Sequence, residues 1–460
     1  MRTEKDCIGE RELPDEALYG IHSQRAVENF PISSERLHPL LVESLVEIKK
    51  AAAMANQQAG TLDRDKRDAI VKACDAVLAG NYRDAFIVPA IQGSAGTSAN
   101  MNVNEVIAHL AQKLTPAVFA HPNDDVNESQ STNDTFPTAG KMAMLKLLPD
   151  LLVAVGQLTQ TLLEKANEFE DLIKVGRTQL QDAVPTTFGH SFHAYYSLFK
   201  RDLERLRTAG EDLHSVNMGG TAIGTGVNST STYQHRIVPE LNDLTGLHLE
   251  VAADLIDVTQ NCDSYVAFSG ALKGLAVDLS KVCHDLRLLS SGPQAGFNEL
   301  RLPRQQAGSS IMPGKVNPVI PEVVNQVAFE VIGKDVTVTM AAEAGQLELN
   351  AFEPIMFRDI LANETHLTNA IMTLINNCLK GIEVNAESAA ERVEQSAITA
   401  TILAPYLGYM QTTALVKEAL ADHRSVKELL REKHLLSDHQ IETLFSPASL
   451  LHEPVTVANH

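Results

Sequence analysis

The sequence has 460 residues, of which 44% are hydrophobic and 21% are charged, so it can bury a large core and is not typical of a disordered chain. Its formal net charge of -20 argues against nucleic acid or an anionic membrane as a partner, because no basic field is present to neutralise phosphates. An anionic substrate would have to be bound by a local positive site.

The N-terminal stretch MRTEKDCIGERELPDEALYG is charged and has no apolar centre, so no signal peptide is predicted. No apolar run reaches about 18 residues, which predicts no membrane span. The odd number of cysteines and the lack of any CxxC pair favour reduced structural thiols in a cytoplasmic protein. The cysteines are Cys7, Cys74, Cys262, Cys283 and Cys378.

Apolar residues recur every three or four positions along the middle of the chain, which is the periodicity of helices with a buried stripe. The clearest stripe runs from Tyr265 to Leu289. Strand-like alternation is nearly absent. The pattern predicts an all-α protein with a bundle of about five long helices over 139–380. The predicted helices cover 139–170, 191–216, 257–290, a segment from Pro321 toward Asn350, and 353–380.

The C-terminal part contains two capping boxes, each of which predicts the start of a short helix. One pairs Ser425 with Glu428 and the other pairs Ser437 with Gln440. We therefore expect three helical domains, with boundaries at 1–138, 139–380 and 381–460.

Four stretches interrupt the helical pattern with clusters of Gly, Ser, Thr and Asn. Each alone fits a cap or a turn, but an ordinary cap needs only one hydroxyl. Hydroxyls, amides, backbone N–H groups and one lysine together are suited to binding small carboxylates. The stretches are QGSAGTSANMN (92–102), NESQSTNDTFPT (127–138), GRTQLQDAVPTT (176–187) and AGSSIMPGKVNP (307–318).

Other kinds of site fit the sequence less well. The loop at 307–318 is not a phosphate loop, because its glycines enclose the wrong number of residues and Val316 follows Lys315. The glycines at 219–226 lack the strand–turn–helix context of a dinucleotide site. His190 and His193 have no third metal ligand nearby in sequence, so no metal site is predicted.

The stretches at 127–138 and 176–187 lie on either side of one predicted helix. About 30 residues of helix span roughly 45 Å. If that helix is continuous, the two stretches cannot meet within one chain. A site that uses both would be assembled from several subunits.

GSSIMPGKVNP at 308–318 resembles the signature loop of the aspartase/fumarase superfamily. Other stretches that resemble the family follow in its order, so the resemblance covers nearly the whole chain. They are YGIHSQRAVENF (19–30), NMNVNEV (100–106), HPNDDVN (121–127), GRTQLQDAVP (176–185) and AAEAGQLELN (341–350).

Within the superfamily, GSAGTSANMN, Thr132 and NPVIPEVVNQVAFEVIG resemble the ammonia-lyase branch that acts on L-aspartate. Gln179 stands where fumarases and some aspartases have histidine. An ammonium group leaves as neutral ammonia, whereas a hydroxyl needs an acid that Gln179 cannot supply. The resemblance thus implies reversible deamination of L-aspartate to fumarate. Fumarate hydration and a non-catalytic scaffold remain alternatives.

By the same resemblance, Ser309 is the general base, and loop N–H groups and Lys315 would help it to ionise. Glycines at 308 and 314 would let the loop close over substrate. The other expected roles are as follows: Thr97, Ser131, Thr132 and Ser310 hold the carboxylate that becomes the aci form; Thr178, Lys315 and Asn317 bind the other carboxylate; Asn133 and Gln179 face the amino group.

The resemblance also implies a homotetramer with a shared helical core and no organic cofactor, and it leaves activation by a divalent cation open. The sequence departs from the family pattern at Gln294, where arginine is common, and at Ser94, where glycine is usual. The first change removes a charge near the serine loop and bears on rate or substrate.

Overall fold

The structure, a computed structural model, describes residues 1–422 and 424–451 and is mostly helical, which confirms the all-α prediction. The α-helices are α1 Ile21–Asn29, α2 Pro39–Ala59, α3 Arg64–Leu78, α4 Thr97–Leu114, α5 Thr132–Glu168, α6 Phe188–Glu211, α7 Ser231–Thr245, α8 Asp257–Gln260, α9 Asp263–Leu289, α10 Val319–Glu343, α11 Glu353–Asn377, α12 Ala386–Gln395, α13 Ala404–Leu407, α14 Tyr409–Asp422, α15 Val426–Glu432, α16 Asp438–Leu444 and α17 Pro447–Leu450.

Strands in the described ranges form small two-stranded sheets only. They are β1 Arg2–Lys5 with β2 Glu10–Leu13, β3 Ile173–Thr178 with β4 Gln181–Thr187, β5 Ser215–Val216 with β6 Glu250–Val251, and β7 Leu300–Arg301 with β8 Glu383–Val384.

The predicted long helices are present as α5, α6, α9, α10 and α11. Helix α5 begins at Thr132, earlier than predicted, because Pro137 was interpreted as part of a loop. A proline inside a helix leaves the carbonyl four residues before it without its usual donor. Here that carbonyl belongs to Asn133, and it accepts a hydrogen bond of 2.9 Å from Asn217 Nδ2 instead. A side chain that is distant in sequence thus allows the helix to start early.

Helix α5 is also the one helix in the described ranges that is long and apolar enough to cross a membrane by length and composition. Half of its most apolar window is buried inside the protein. A long core helix passes the same test of length and composition.

The chain divides into two compact units, which we call unit 1 and unit 2. Unit 1 comprises 1–153, 202–277 and 327–368, and unit 2 comprises 154–201, 278–326 and the described residues from 369 onward. The three-domain division made from sequence stays a prediction.

In unit 1, aromatic rings join the long helices around the start of α5. Phe357 of α11 lies 5.1 Å from the ring of Phe136 and 5.1 Å from that of Tyr265, measured between centroids. Gly96 precedes α4 with a φ of 85°, and a Cβ there would lie 2.4 Å from the Phe136 ring. Only glycine therefore lets the start of α4 approach the start of α5 so closely.

In unit 2, the stretch predicted as a loop at 176–187 is largely an antiparallel hairpin of β3 and β4. Gln179 and Leu180 form its turn with φ values of 53° and 64°, the left-handed pair that two-residue hairpins require. The hairpin was missed because this turn lacks the usual Asn-Gly signal. A bulge at Gly176 also breaks the alternation of the strand, and a Cβ there would lie 2.6 Å from the Val184 carbonyl oxygen.

The two C-terminal capping boxes are confirmed. Ser425 and Glu428 cap α15, and Ser437 and Gln440 cap α16, each through both reciprocal hydrogen bonds. These helices pack on a small apolar cluster made of Leu403, Leu415, Val426, Leu429, Leu430 and Ile441, among others.

Candidate active site

The structure places the predicted site residues in three groups. The helix-end cluster in unit 1 consists of Thr97, Ser131, Thr132 and Asn133. Unit 2 holds the other two groups: the hairpin tip, which is Thr178 and Gln179, and the serine loop, which is 307–318 with Ser309, Ser310, Lys315 and Asn317.

The helix-end cluster is built from the N-terminal ends of α4 and α5. Thr97 is the first residue of α4 and Thr132 the first of α5. Ser131 caps α5, because its Oγ accepts the Asn133 N–H at 3.2 Å. Helix N-termini present unpaired N–H groups and a positive dipole end, so this cluster favours a bound carboxylate.

Asn133 is anchored at one end of its side chain and open at the other. Its Nδ2 donates a 2.7 Å hydrogen bond to the Ala222 carbonyl oxygen. Its Oδ1 makes no hydrogen bond to any side chain or backbone group of the described chain. An amide oxygen that is left open as an acceptor is suited to a protonated amino group.

Asp134 lies directly beneath this cluster and is fully buried. It accepts N–H bonds from Ser131 at 2.9 Å, Gly219 at 3.1 Å and Thr221 at 3.0 Å. Burial raises the pKa of Asp134 to about 6, and these N–H bonds oppose that shift. The carboxylate therefore ties the loop before α5 to the glycine-rich loop at 219–226.

A second fully buried ionisable group, Lys49 of α2, supports the same loop. Its Nζ donates to Asn127 Oδ1 at 3.0 Å and to Gln130 Oε1 at 2.8 Å. Burial lowers the pKa of Lys49 to about 7, and the charge of Asp134 opposes that shift. Sequence reasoning missed Lys49, although its position four residues after Leu45 of the buried stripe could have indicated it.

The hairpin tip is exposed, but the residue directly before it in β3 is held by an ion pair. Arg177, next to Thr178, forms a 2.6 Å ion pair with the buried carboxylate of Glu299. Its guanidinium also lies 4.5 Å from the centre of the Phe297 ring. Sequence reasoning missed Arg177 and Glu299, because they lie far apart in the chain. Together they hold the end of β3 directly before the turn, next to Thr178 and Gln179.

In the serine loop, the Oγ of Ser309 accepts N–H bonds from Ile311 at 3.2 Å and Met312 at 3.0 Å. Two backbone donors on one hydroxyl oxygen stabilise negative charge there. The loop could therefore support an ionised serine that acts as a base.

The serine loop is closed by its own backbone. Gly308 N–H donates to the Lys315 carbonyl oxygen at 2.8 Å, and Asn317 Nδ2 donates to the Gly308 carbonyl oxygen at 2.8 Å. A Cβ at Gly308 would lie 2.6 Å from the Lys315 carbonyl oxygen, so glycine is required. The side chains of Ser310 and Lys315 are exposed, and neither has a hydrogen-bond or ion-pair partner in the described chain.

The chain matches two protein-family models. The model described as Lyase matches residues 9–333, and the one described as Fumarase C C-terminus matches residues 400–452. Among curated proteins, the chain is 47% identical to an aspartate ammonia-lyase of Helicobacter pylori over 98% of both chains. It is 46% identical to that of Escherichia coli K12, over 98% of this chain and 96% of the relative.

Among solved structures, the chain is similar to a cobalt-bound fumarate lyase:delta crystallin from Brucella melitensis, with a TM-score of 0.93 and 45% identity. It is also similar to a class II fumarase from Schistosoma mansoni, with a TM-score of 0.93 and 32% identity. Each match covers 97% of this chain and 98% of the solved chain.

Proposed function

Since the chain belongs to the lyase family of the aspartase/fumarase superfamily, we propose that it is an aspartate ammonia-lyase, which converts L-aspartate reversibly into fumarate and ammonia. Identities of 46–47% to curated aspartate ammonia-lyases, against 32% to a class II fumarase, support this choice. The observation that carries the chemistry is the Ser309 hydroxyl, whose oxygen receives two backbone N–H bonds.

The first step removes a proton from the substrate carbon next to one carboxylate. Ser309, ionised to an alkoxide, takes this proton and becomes a hydroxyl. The electron pair of the broken C–H bond moves into the neighbouring carboxylate, which becomes the doubly charged aci form. The N–H groups of Ile311 and Met312 make the alkoxide accessible, because they stabilise its charge before the proton arrives.

The aci carboxylate needs hydrogen-bond donors whose interaction with it becomes stronger as its negative charge grows. The helix-end cluster supplies the hydroxyls of Thr97, Ser131 and Thr132 at two helix N-termini, and Ser310 of the serine loop supplies another. Since these donors interact more strongly with the aci form than with the ground-state carboxylate, they lower the barrier rather than only tighten binding.

In the second step the C–N bond breaks and the electron pair of the aci form becomes the carbon–carbon double bond. The protonated amino group keeps the C–N electron pair and departs as neutral ammonia. Both residues proposed to face it, Asn133 and Gln179, are amides that cannot give up a proton. The leaving group that suits them is ammonia rather than hydroxide. The reaction so written needs no organic cofactor.

The other carboxylate of the substrate is bound by Thr178, Lys315 and Asn317 in this proposal. Lys315 has no competing partner in the described chain, so its ammonium group is available to an anion. Closure of the serine loop over the substrate would bring Ser309 and Lys315 to it together and exclude water.

We further propose that the protein is a cytoplasmic homotetramer whose sites are shared between subunits. Helix α5 is continuous over 37 residues, and such a helix is about 55 Å long. The loop before it and the hairpin after it therefore belong to sites completed by different chains. In support of assembly, Gly333, Val336 and Met340 share a face of α10, where Val336 and Met340 are 55% and 66% exposed.

An ultraviolet assay of fumarate tests the function directly. We expect the purified protein to form fumarate from L-aspartate and to consume fumarate when ammonia is supplied. Fumarate formation from L-malate but not from L-aspartate would show a fumarate hydratase instead. No turnover of either substrate would indicate a scaffold that has kept the fold.

A further inference from the structure

A chain of buried and half-buried side chains links Lys49 to the hydroxyl of Thr132. Lys49 Nζ donates to Asn127 Oδ1 at 3.0 Å, and the same oxygen accepts a 3.0 Å bond from Asn100 Nδ2. Asn100 Nδ2 also donates to Thr132 Oγ1 at 3.2 Å. Lys49, Asn100 and Thr132 are all at least nine-tenths buried. The chain therefore connects a buried amine to one of the hydroxyls proposed to hold the substrate.

Each hydrogen bond in this chain has only one possible direction. The direction is fixed at Asn127, whose Nδ2 donates to the Gln130 carbonyl oxygen at 3.2 Å, because a carbonyl oxygen can only accept. Asn127 therefore turns its Oδ1 toward Lys49 and accepts the N–H of that amine with this oxygen. Since that oxygen also faces Asn100, Asn100 must present its amide N–H groups.

The orientation of the Asn100 amide determines the orientation of the Thr132 hydroxyl. The same amide nitrogen of Asn100 reaches Thr132 Oγ1, while Asn100 Oδ1 accepts a 3.3 Å bond from Thr135 Oγ1. Thr132 Oγ1 is consequently an acceptor toward the protein. A hydroxyl has only one proton, so that proton must point away from Asn100.

We propose that Asn100 and Lys49 are positioning residues that fix the Thr132 hydroxyl as a donor toward the substrate carboxylate. This inference rests on the proposed function, in which Thr132 binds the carboxylate that becomes the aci form. A donor oriented in advance costs no reorientation when the charge develops, so the effect falls on kcat more than on KM.

The test reverses the direction of the hydrogen bond between residue 100 and the Thr132 hydroxyl. Asn100→Asp keeps the size of the side chain but replaces the donating nitrogen by an oxygen, which would accept the Thr132 proton and turn it away from the substrate. We expect kcat for L-aspartate to fall about 10- to 100-fold, the scale of one hydrogen bond to a charged group. KM should change by less than about 3-fold.

A double-mutant cycle separates positioning from a general structural effect. If Asn100 acts through the Thr132 hydroxyl, Asn100→Asp should lower kcat little further in a Thr132→Val background, by less than about 3-fold. Asn100→Leu removes the donor without adding charge and provides the same cycle if the aspartate variant does not fold.

Asn102 provides a matched control on the same helix. It is also fully buried, its Oδ1 accepts the Ile87 N–H at 2.9 Å, and its Nδ2 donates to the Ala85 carbonyl oxygen at 3.1 Å. Asn102→Asp should lower the melting temperature, since it also loses a buried donor, but kcat should stay within about 2-fold.

Three results would overturn the inference. They are wild-type kcat in Asn100→Asp, losses that multiply in the double variant, and an equal loss of kcat in Asn102→Asp. In each case the wild-type protein would still deaminate aspartate, so the proposed function would stand. A wild-type protein that forms no fumarate from L-aspartate would overturn both.

Discussion

The helix-end cluster and the serine loop use the same residue types but are held in opposite ways. The hydroxyls of the cluster lie on a buried framework, in which Lys49, Asn100 and Asp134 fix the loop before α5. The serine loop is exposed, with Ile311 84% and Met312 47% accessible, and mainly its own backbone bonds shape it.

This difference matches two needs of one reaction. Stabilisation of a growing charge requires donors that are oriented before reaction, and burial keeps them oriented. A base that must reach the substrate and then exclude water requires a segment with little buried surface, which can change conformation cheaply. Substitutions in the serine loop should therefore change activity but leave stability unchanged. Substitutions in the buried framework of Lys49, Asn100 and Asp134 should change both.

The largest expected effect tests the serine loop. Ser309→Ala should lower kcat by about 1000-fold or more, the scale of losing a central catalytic group. The melting temperature and oligomeric state should not change, because this half-exposed hydroxyl contributes little packing. Steady-state kinetics and thermal denaturation check both points. Near-normal turnover would show that Ser309 is not the general base.

A mixing experiment tests whether the hairpin tip and the serine loop that serve one substrate belong to different chains. Ser309→Ala and Thr178→Val, each inactive alone, are denatured together and refolded. Random tetramers should contain some sites without either change, so activity should recover to about a quarter of wild type. Each variant refolded alone is the control. No recovery in verified mixed tetramers would place both residues in one chain's site.

Lys315→Met tests the exposed charge of the serine loop. Loss of a carboxylate partner in a closed site costs on the order of 2–5 kcal/mol. We expect KM for L-aspartate to rise sharply while the melting temperature stays the same, because Lys315 has no partner in the described chain to lose. An unchanged KM would mean that Lys315 does not contact the substrate.

Lys49→Met should give the opposite result, with a loss of stability as well as activity. The change leaves the partly buried amide oxygen of Gln130 without its Lys49 donor, whereas Asn127 Oδ1 keeps its bonds from Asn100 and Asn104. We expect a cost of about 1–3 kcal/mol. Chemical denaturation measures this loss. Lys50→Met is the control, because the neighbouring Lys50 pairs with the half-exposed Asp75 and should cost less than about 1 kcal/mol.

The pH dependence of stability sharpens the same test. The folded pKa of Lys49 is lowered to about 7 from 10.5, so between these values the unfolded chain binds more protons than the folded one. The free energy of unfolding should therefore rise with pH across this window, as the cost of burying the charged amine disappears. Lys49→Met should lose this rise, measured by denaturation at pH 7 and about pH 9.5. The same slope in both proteins would contradict the assignment.

Much of the fold was predictable because helix periodicity is local. The stripe from Tyr265 to Leu289 indicated α9, and the capping boxes marked the starts of α15 and α16. The β3–β4 hairpin and the early start of α5 were not predictable in this way. The first depends on a left-handed Gln-Leu turn, and the second on an amide from Asn217 that satisfies the carbonyl freed by Pro137.

For the site, the sequence by itself determined which residue types were available and in which stretches, because hydroxyl and amide clusters stand out against helical segments. It also determined the family, through a long ordered match. Only the tertiary structure decided how those groups are oriented. Asn100 is linked to Thr132 and Lys49 to Asn127 across helices that are distant in sequence. The direction of a hydrogen bond depends on what each partner's other neighbours donate or accept, and those neighbours are brought together only by folding.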